Sequence, residues 1–92
     1  MTVEVEYHAQ IRQITGKTSE TLTLQPDVTV QQAIRMLWAK YGEELRSFLA
    51  TKEGELRPSI VLVLGDRQLR WCEPTPLHDG DTLLLLSPIA GG

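Results

Sequence analysis

From Val3 to Ile11 apolar and polar residues alternate: Val3, Val5, Tyr7, Ala9 and Ile11 are separated by Glu4, Glu6, His8 and Gln10. A period of two, with β-branched and aromatic residues in phase, predicts a strand buried on one face, with His8 on its polar face. Thr15-Gly16-Lys17 is a turn signal, and Leu22 and Leu24 then alternate with Thr21, Thr23 and Gln25. A second strand, joined to the first as a hairpin, is expected there. After Pro26-Asp27 the period lengthens. Val30, Ala33, Ile34, Leu37, Trp38 and Tyr41 fall on one helical face. Thr29 is a good N-cap and Gln32, three residues on, can complete a capping box. Gly42 is expected to end this helix in the left-handed conformation. Glu43 to Leu49 reads as a short helix with Leu45, Phe48 and Leu49 turned inward, and residues 51–58 read as a loop around Gly54.

Ile60 to Leu64 is apolar without alternation, as in a strand covered on both faces or nearly so. Gly65-Asp66 is a turn, Gln68 to Trp71 a short strand, and Glu73-Pro74-Thr75-Pro76 a break in regular structure. Asp79-Gly80-Asp81 is a tight turn, Thr82 to Leu86 the last strand, and Pro88 stops further pairing. In that last strand Leu83 and Leu85 must face opposite to Leu84 and Leu86. One pair fills a core; the other shows on the outer face, either as a docking patch or under a covering element. The order of elements predicts an α+β fold in which a mixed sheet of four to five strands packs on one main helix. The first and last strands are expected to lie side by side in the middle of that sheet.

Size changes this picture little: 92 residues make one domain, 1–92, with a free Gly-Gly tail and a core too small to hold a deep cleft. The net charge of −3 argues against a nucleic-acid-binding module. No cluster of Lys and Arg suggests an anionic membrane, no apolar run is long enough to span one, and no secretory signal opens the chain. A single cysteine, Cys72, allows no internal disulfide and fits a reducing cytoplasm.

Three stretches then carry a resemblance. Val5 to Gly16 reads VEYHAQIRQITG, the middle helix begins at Val28-Thr29-Val30 and carries Leu37, and the chain ends LHDGDTLLLLSPIAGG from Leu77 to Gly92. Together they resemble the MoaD/ThiS family of sulfur carriers, with the molybdopterin synthase small subunit as the nearest type. The resemblance spans essentially the whole chain, and the ending is its specific part. It departs from the molybdopterin type at His8, at Gly65 and at Ser87-Pro88. The resemblance implies the ubiquitin-like β-grasp fold and a protein that is not an enzyme on its own. It implies that a partner adenylating enzyme (MoeB/ThiF-like), using ATP and magnesium, activates the C-terminal carboxylate of Gly92. A sulfide or persulfide from a sulfur donor then displaces AMP to leave a thiocarboxylate. The acceptor would be an enzyme such as the molybdopterin synthase large subunit; carriers for cysteine, thiamine or tRNA thiolation use the same tail.

Physical chemistry gives reasons for such a tail. A carboxylate is anionic and has no leaving group, so it needs activation before sulfur can add. Gly91 and Gly92 lack Cβ and can thread a narrow channel, which makes Gly92 the chemical residue and Gly91 the access residue. Pro88 stiffens the exit from the sheet. The resemblance, as much as the alternation in the last strand, implies a docking patch of Leu84 and Leu86 with the Pro88-Ile89 stem. His8 and Arg12 are assigned to partner contact, Arg12 because the family it resembles often has Arg there; a solvated surface group is the usual alternative for His8 and an equal one for Arg12. His78 is expected to be solvated and Cys72 to be half-buried and structural rather than a sulfur relay. Trp38 is expected in the core, Trp71 in the packing of the short strand. Two distant histidines and one cysteine do not make a metal site, and no bound cofactor is implied. Two rivals keep the same fold: a protein modifier joined to lysine through Gly92, and an interaction domain with an inert tail.

Overall fold

The computed structural model describes residues 1–87. Its elements are β1 (Thr2–Tyr7), α1 (Gln10–Thr15), β2 (Ser19–Thr23), α2 (Val30–Tyr41), α3 (Glu43–Leu49), β3 (Val61–Leu64), β4 (Arg67–Leu69) and β5 (Thr82–Leu86). The strands form one sheet in the order β2-β1-β5-β3-β4. β5 therefore sits at the centre, parallel to β1 and antiparallel to β3. The core lies between the sheet and the helices. Val3, Val5 and Tyr7 from β1, Leu62 from β3 and Leu83 and Leu85 from β5 meet Val30, Ala33, Ile34, Leu37 and Trp38 from α2. Each of these large side chains contributes roughly 1.5–3 kcal/mol on burial.

The first hairpin is more elaborate than the alternation predicts. β1 stops at Tyr7, and the chain turns at Ala9, whose φ of 55° and ψ of −130° no strand can continue. Arg12 N–H then donates to the Ala9 carbonyl, and the six-residue α1 swings Ile11 fully into the core. Ile11 is buried as its phase in the strand pattern requires, but by a helix. β1 and β2 do pair antiparallel, with Val5 opposite Glu20.

α2 follows its sequence closely. Thr29 Oγ1 accepts from Gln32 N–H while Gln32 Oε1 accepts from Thr29 N–H, the reciprocal bonds of a capping box. At its other end Gly42 has the expected positive φ, 84°, but a ψ of −163°. That backbone opens directly into α3 instead of closing a left-handed cap. In α3, Leu45 and Leu49 are buried and Phe48 is half-buried. Gln31, one residue into α2, is buried although polar. Its amide nitrogen donates to the carbonyls of Trp71 and Glu73 and its oxygen accepts from Thr75 N–H, so one side chain holds the connection between β4 and β5.

β4 is three residues long and ends before Trp71. Trp71 stacks on Trp38 at 5.8 Å, with the Arg35 guanidinium 5.3 Å from its ring. Trp71 thus packs on α2, not within a strand. Cys72, expected half-buried, is exposed, because its neighbour Trp71 takes the inward position at this bend. β3 is covered on one face only: Leu62 is buried, while Val61, Val63 and Leu64 are partly open.

A second polar cluster ties β2 to the helix layer. The hydroxyls of Tyr7 and Tyr41 both donate to Glu20 Oε1 at 2.5 Å, and Lys40 Nζ lies 2.5 Å from Glu20 Oε2. Burial opposes ionisation of Glu20. The hydrogen bonds from Lys40, Tyr41 and Tyr7 outweigh it and lower the carboxyl to about 2. Burial, then the hydrogen bond to Glu20 and the Glu20 charge, raises the Tyr7 phenol far above its ordinary value. No helix among the described residues is long and apolar enough to cross a membrane.

Candidate functional site at the centre of the sheet

The Asp79-Gly80-Asp81 turn sets where β5 begins. Thr2 N–H donates to Asp79 Oδ1 at 2.6 Å, and Gly80 N–H donates to the Thr2 carbonyl at 2.8 Å. Asp81 Oδ2 accepts from His78 N–H at 2.7 Å, and the Asp81 carbonyl accepts from Glu4 N–H. The two carboxylates thus cap the turn and dock it on β1, and Gly80 supplies the φ of +88° that the turn needs. β5 then runs beside β1 in one fixed register, Glu4 opposite Thr82 and Glu6 opposite Leu84.

That register decides what each leucine does. Leu83 and Leu85 are 0% exposed in the core, while Leu84 and Leu86 lie half-buried on the outer face. On the neighbouring strand Val63 stands opposite Leu84 and Val61 opposite Leu86. Directly paired residues share a face, so the four side chains make an apolar strip across the centre of the sheet. Glu4 and Glu6 bound the strip on the β1 side. Thr21 Oγ1 donates to Glu4, and His8 Nε2 lies 3.7 Å from Glu6 Oε1. Gln68, opposite Val63, bounds it on the β4 side.

The expected site residues divide accordingly. Leu84 and Leu86 share the outer face of β5, while His8 is exposed, follows β1 instead of lying within it and stands beside Glu6. Arg12 is exposed on α1, whose neighbours are β1 and α3, away from the strip. Pro88, Ile89, Gly91 and Gly92 lie outside the described residues. His78 is exposed beside Asp81. Among the described residues no group of three His, Cys, Asp or Glu side chains is placed to hold a metal ion. Sequence reading missed Val61, Val63, Glu4 and Glu6 as parts of this surface. Their signal was register: once β3 is paired with β5, alternate residues of an apolar run must share the outer face with Leu84 and Leu86.

With this geometry the chain matches the model of the ThiS family over residues 5–92. The chain belongs to the ThiS family. Small archaeal modifier protein 3 of Haloferax volcanii is 30% identical over 94 residues, which cover all of both chains. The crystal structure of SAMP1 from Haloferax volcanii superposes with a TM-score of 0.89 over all of both chains at 23% identity, and so speaks for the fold. A chain of the Amycolatopsis orientalis BexX/CysO complex is 26% identical, with a TM-score of 0.72, over 98% of this chain and 99% of that one. The fold is the ubiquitin-like β-grasp. A small ubiquitin-like carrier or modifier, not an enzyme by itself, is the reading that ThiS family membership supports.

Proposed function

We propose that this ThiS family chain is a sulfur carrier whose reactive group is the carboxylate of Gly92, serving molybdopterin synthesis in the cytoplasm. A carboxylate oxygen attacks the α-phosphorus of ATP, held with magnesium by an adenylating partner, and pyrophosphate leaves. Hydrosulfide then attacks the acyl carbon, the bond to AMP breaks, and a thiocarboxylate and a proton are released. The molybdopterin synthase large subunit is the proposed acceptor. Gly91 gives access to the partner's channel, and Pro88 and Ile89 form the stem.

One observation carries the reading: an apolar strip lies on the open sheet face at the root of the tail. Five residues offer little contact area on binding, so the domain must supply the affinity. Leu84, Leu86, Val61 and Val63 offer apolar area for that purpose. Glu4 and Glu6 favour a partner with cations beside its apolar contact. His8 and Arg12 are proposed as further partner contacts.

A second reading is favoured by the likeness to small archaeal modifier protein 3. There the adenylated Gly92 ends in an isopeptide bond to a lysine. Intact mass spectrometry separates the two. The chain is incubated with ATP, magnesium, sulfide and an adenylating enzyme from the same source. Exchange of one oxygen for sulfur, absent when Gly92 is deleted, is the expected result. Unchanged mass with lysine conjugates in a lysate overturns the carrier reading in favour of the modifier.

A further inference from the structure

The chain has three lysines, Lys17, Lys40 and Lys52, and the fold treats them differently. Glu20 Oε2 draws in two of them: Lys40 Nζ lies 2.5 Å away and Lys17 Nζ 3.5 Å away. The same two ammonium groups lie 5.5 Å and 6.0 Å from the centre of the Tyr41 ring, a second contact that favours their charged form. The hydrogen bond to Glu20 raises Lys40 above the ordinary lysine value. The α-ammonium of Met1 is bound as well, donating to the Leu24 carbonyl at 2.7 Å. Lys52 has none of these ties. It is exposed on the loop that follows α3, and no carboxylate among the described residues lies within ion-pair distance of it, although Glu53 and Glu55 belong to the same loop. That loop is nevertheless well fixed. Gly54 N–H donates to the Thr51 carbonyl at 3.0 Å, Thr51 N–H donates to the Glu55 carbonyl at 2.7 Å, and Glu55 N–H donates to Thr51 Oγ1 at 3.3 Å. Lys52 therefore stands at the apex of a closed turn with its amine in solvent.

We infer that Lys52 is the acyl-acceptor amine of this chain, the site at which an adenylated Gly-Gly carboxyl group forms an isopeptide bond. An amine attacks only through the lone pair of its neutral form. Lys17 and Lys40 must first give up Glu20 and then a proton, whereas Lys52 must give up a proton alone. The neutral Lys52 Nζ attacks the acyl carbon of the adenylate. The bond from that carbon to the AMP oxygen breaks, AMP leaves with the electron pair, and the nitrogen releases one proton to water. Relevance of this step to the cell rests on the adenylated tail proposed above, since a Gly92 adenylate is a donor of this class. The buried Glu20 carboxylate thus has a second consequence besides stability: it withholds two lysines from acylation and leaves one.

The probe is N-acetylglycylglycyl adenylate, a small model of an adenylated tail, added in limiting amount to the full chain at about pH 8, where a fraction of each free amine is neutral. Peptide mass spectrometry then gives the acylated share of each lysine. Lys52 should be acylated roughly fivefold more than Lys17 or Lys40, the order of effect expected of an ion pair. Two comparisons tie that preference to the fold. In the urea-unfolded chain the three lysines should react alike. In Glu20→Gln, shown by urea unfolding to remain folded, Lys17 and Lys40 should rise toward the level of Lys52. Equal acylation of the three lysines in the folded chain, preference for Lys17 or Lys40, or a preference for Lys52 that survives unfolding would each overturn the inference. No adenylating enzyme enters this readout, so its failure and that of the carrier reading are distinct.

Discussion

Leu83 and Leu85 have the same chemistry as Leu84 and Leu86, belong to the same strand and differ only in the face they show. The first two are sealed between sheet and helix; the second two lie half-open on a face that none of the described elements covers. Four identical side chains therefore serve two purposes, and the pleat alone assigns them. A one-residue slip of β5 would exchange the roles of all four. The Asp79-Gly80-Asp81 turn prevents this by fixing β5 to the start of β1 through three hydrogen bonds. A short polar motif with no chemistry of its own thus decides which leucines enter the core and which face outward.

The contrast breaks most severely at the inner face. Leu85→Ala should cost about 2–5 kcal/mol, because α2 cannot close over the lost methyl groups. Urea unfolding would read this as a large fall in midpoint with the slope retained. Next comes the rim of the same core. Tyr7→Phe should cost about 1.5–3 kcal/mol by removing a buried hydrogen bond to a charged carboxylate. The same cluster gives a pH dependence. Glu20 is lowered to about 2 in the folded chain, so its stabilisation is complete above its unfolded value and is lost as pH falls through the folded one. Unfolding followed from about pH 5 to about 2 should show that loss, and Glu20→Gln should flatten it.

Smaller effects sharpen the register argument. Gly80→Ala meets no atom within 4 Å of its new Cβ, so its cost is backbone strain alone at a φ of +88°, about 1–2 kcal/mol. If register is held by that turn, amide exchange in the variant should quicken in β5 before α2. The smallest change in stability belongs to the outer face. Leu84→Asp should shift the unfolding free energy by roughly 0.5 kcal/mol or less, since neither state buries the side chain fully.

Much of this division was legible in the sequence. The period of two in β1, the apolar run of β5, the longer period and capping pair of α2, and the Asp-Gly-Asp turn are local signals, and each led to the observed element, although β1 ends at Tyr7 and not at Ile11. What failed to show was mostly non-local. α1 is too short to display a period of its own, and Ile11 is buried in phase with the strand pattern it leaves. The run Val61 to Leu64 cannot tell one covered face from two, because the open side of β3 is set by its neighbours. Gln31 looks like any polar residue on a helix until Trp71, Glu73 and Thr75 are brought to it. Cys72 gave no sign of which way it turns, since Trp71 beside it takes the inward place. At the site, Leu84 and Leu86 followed from the family resemblance as much as from alternation, while Val61, Val63, Glu4 and Glu6 needed the register.

The central claim is that the outer leucines serve a partner and not the fold. Its most direct test is the double variant Leu84→Asp, Leu86→Asp, assayed with an adenylating enzyme from the same source. The initial rate of Gly92 adenylation is followed against carrier concentration, with urea unfolding in parallel. The account predicts a KM raised roughly tenfold or more, with an unfolding midpoint close to that of the parent chain. An unchanged KM, or a midpoint lowered as far as that of Leu85→Ala, would contradict it.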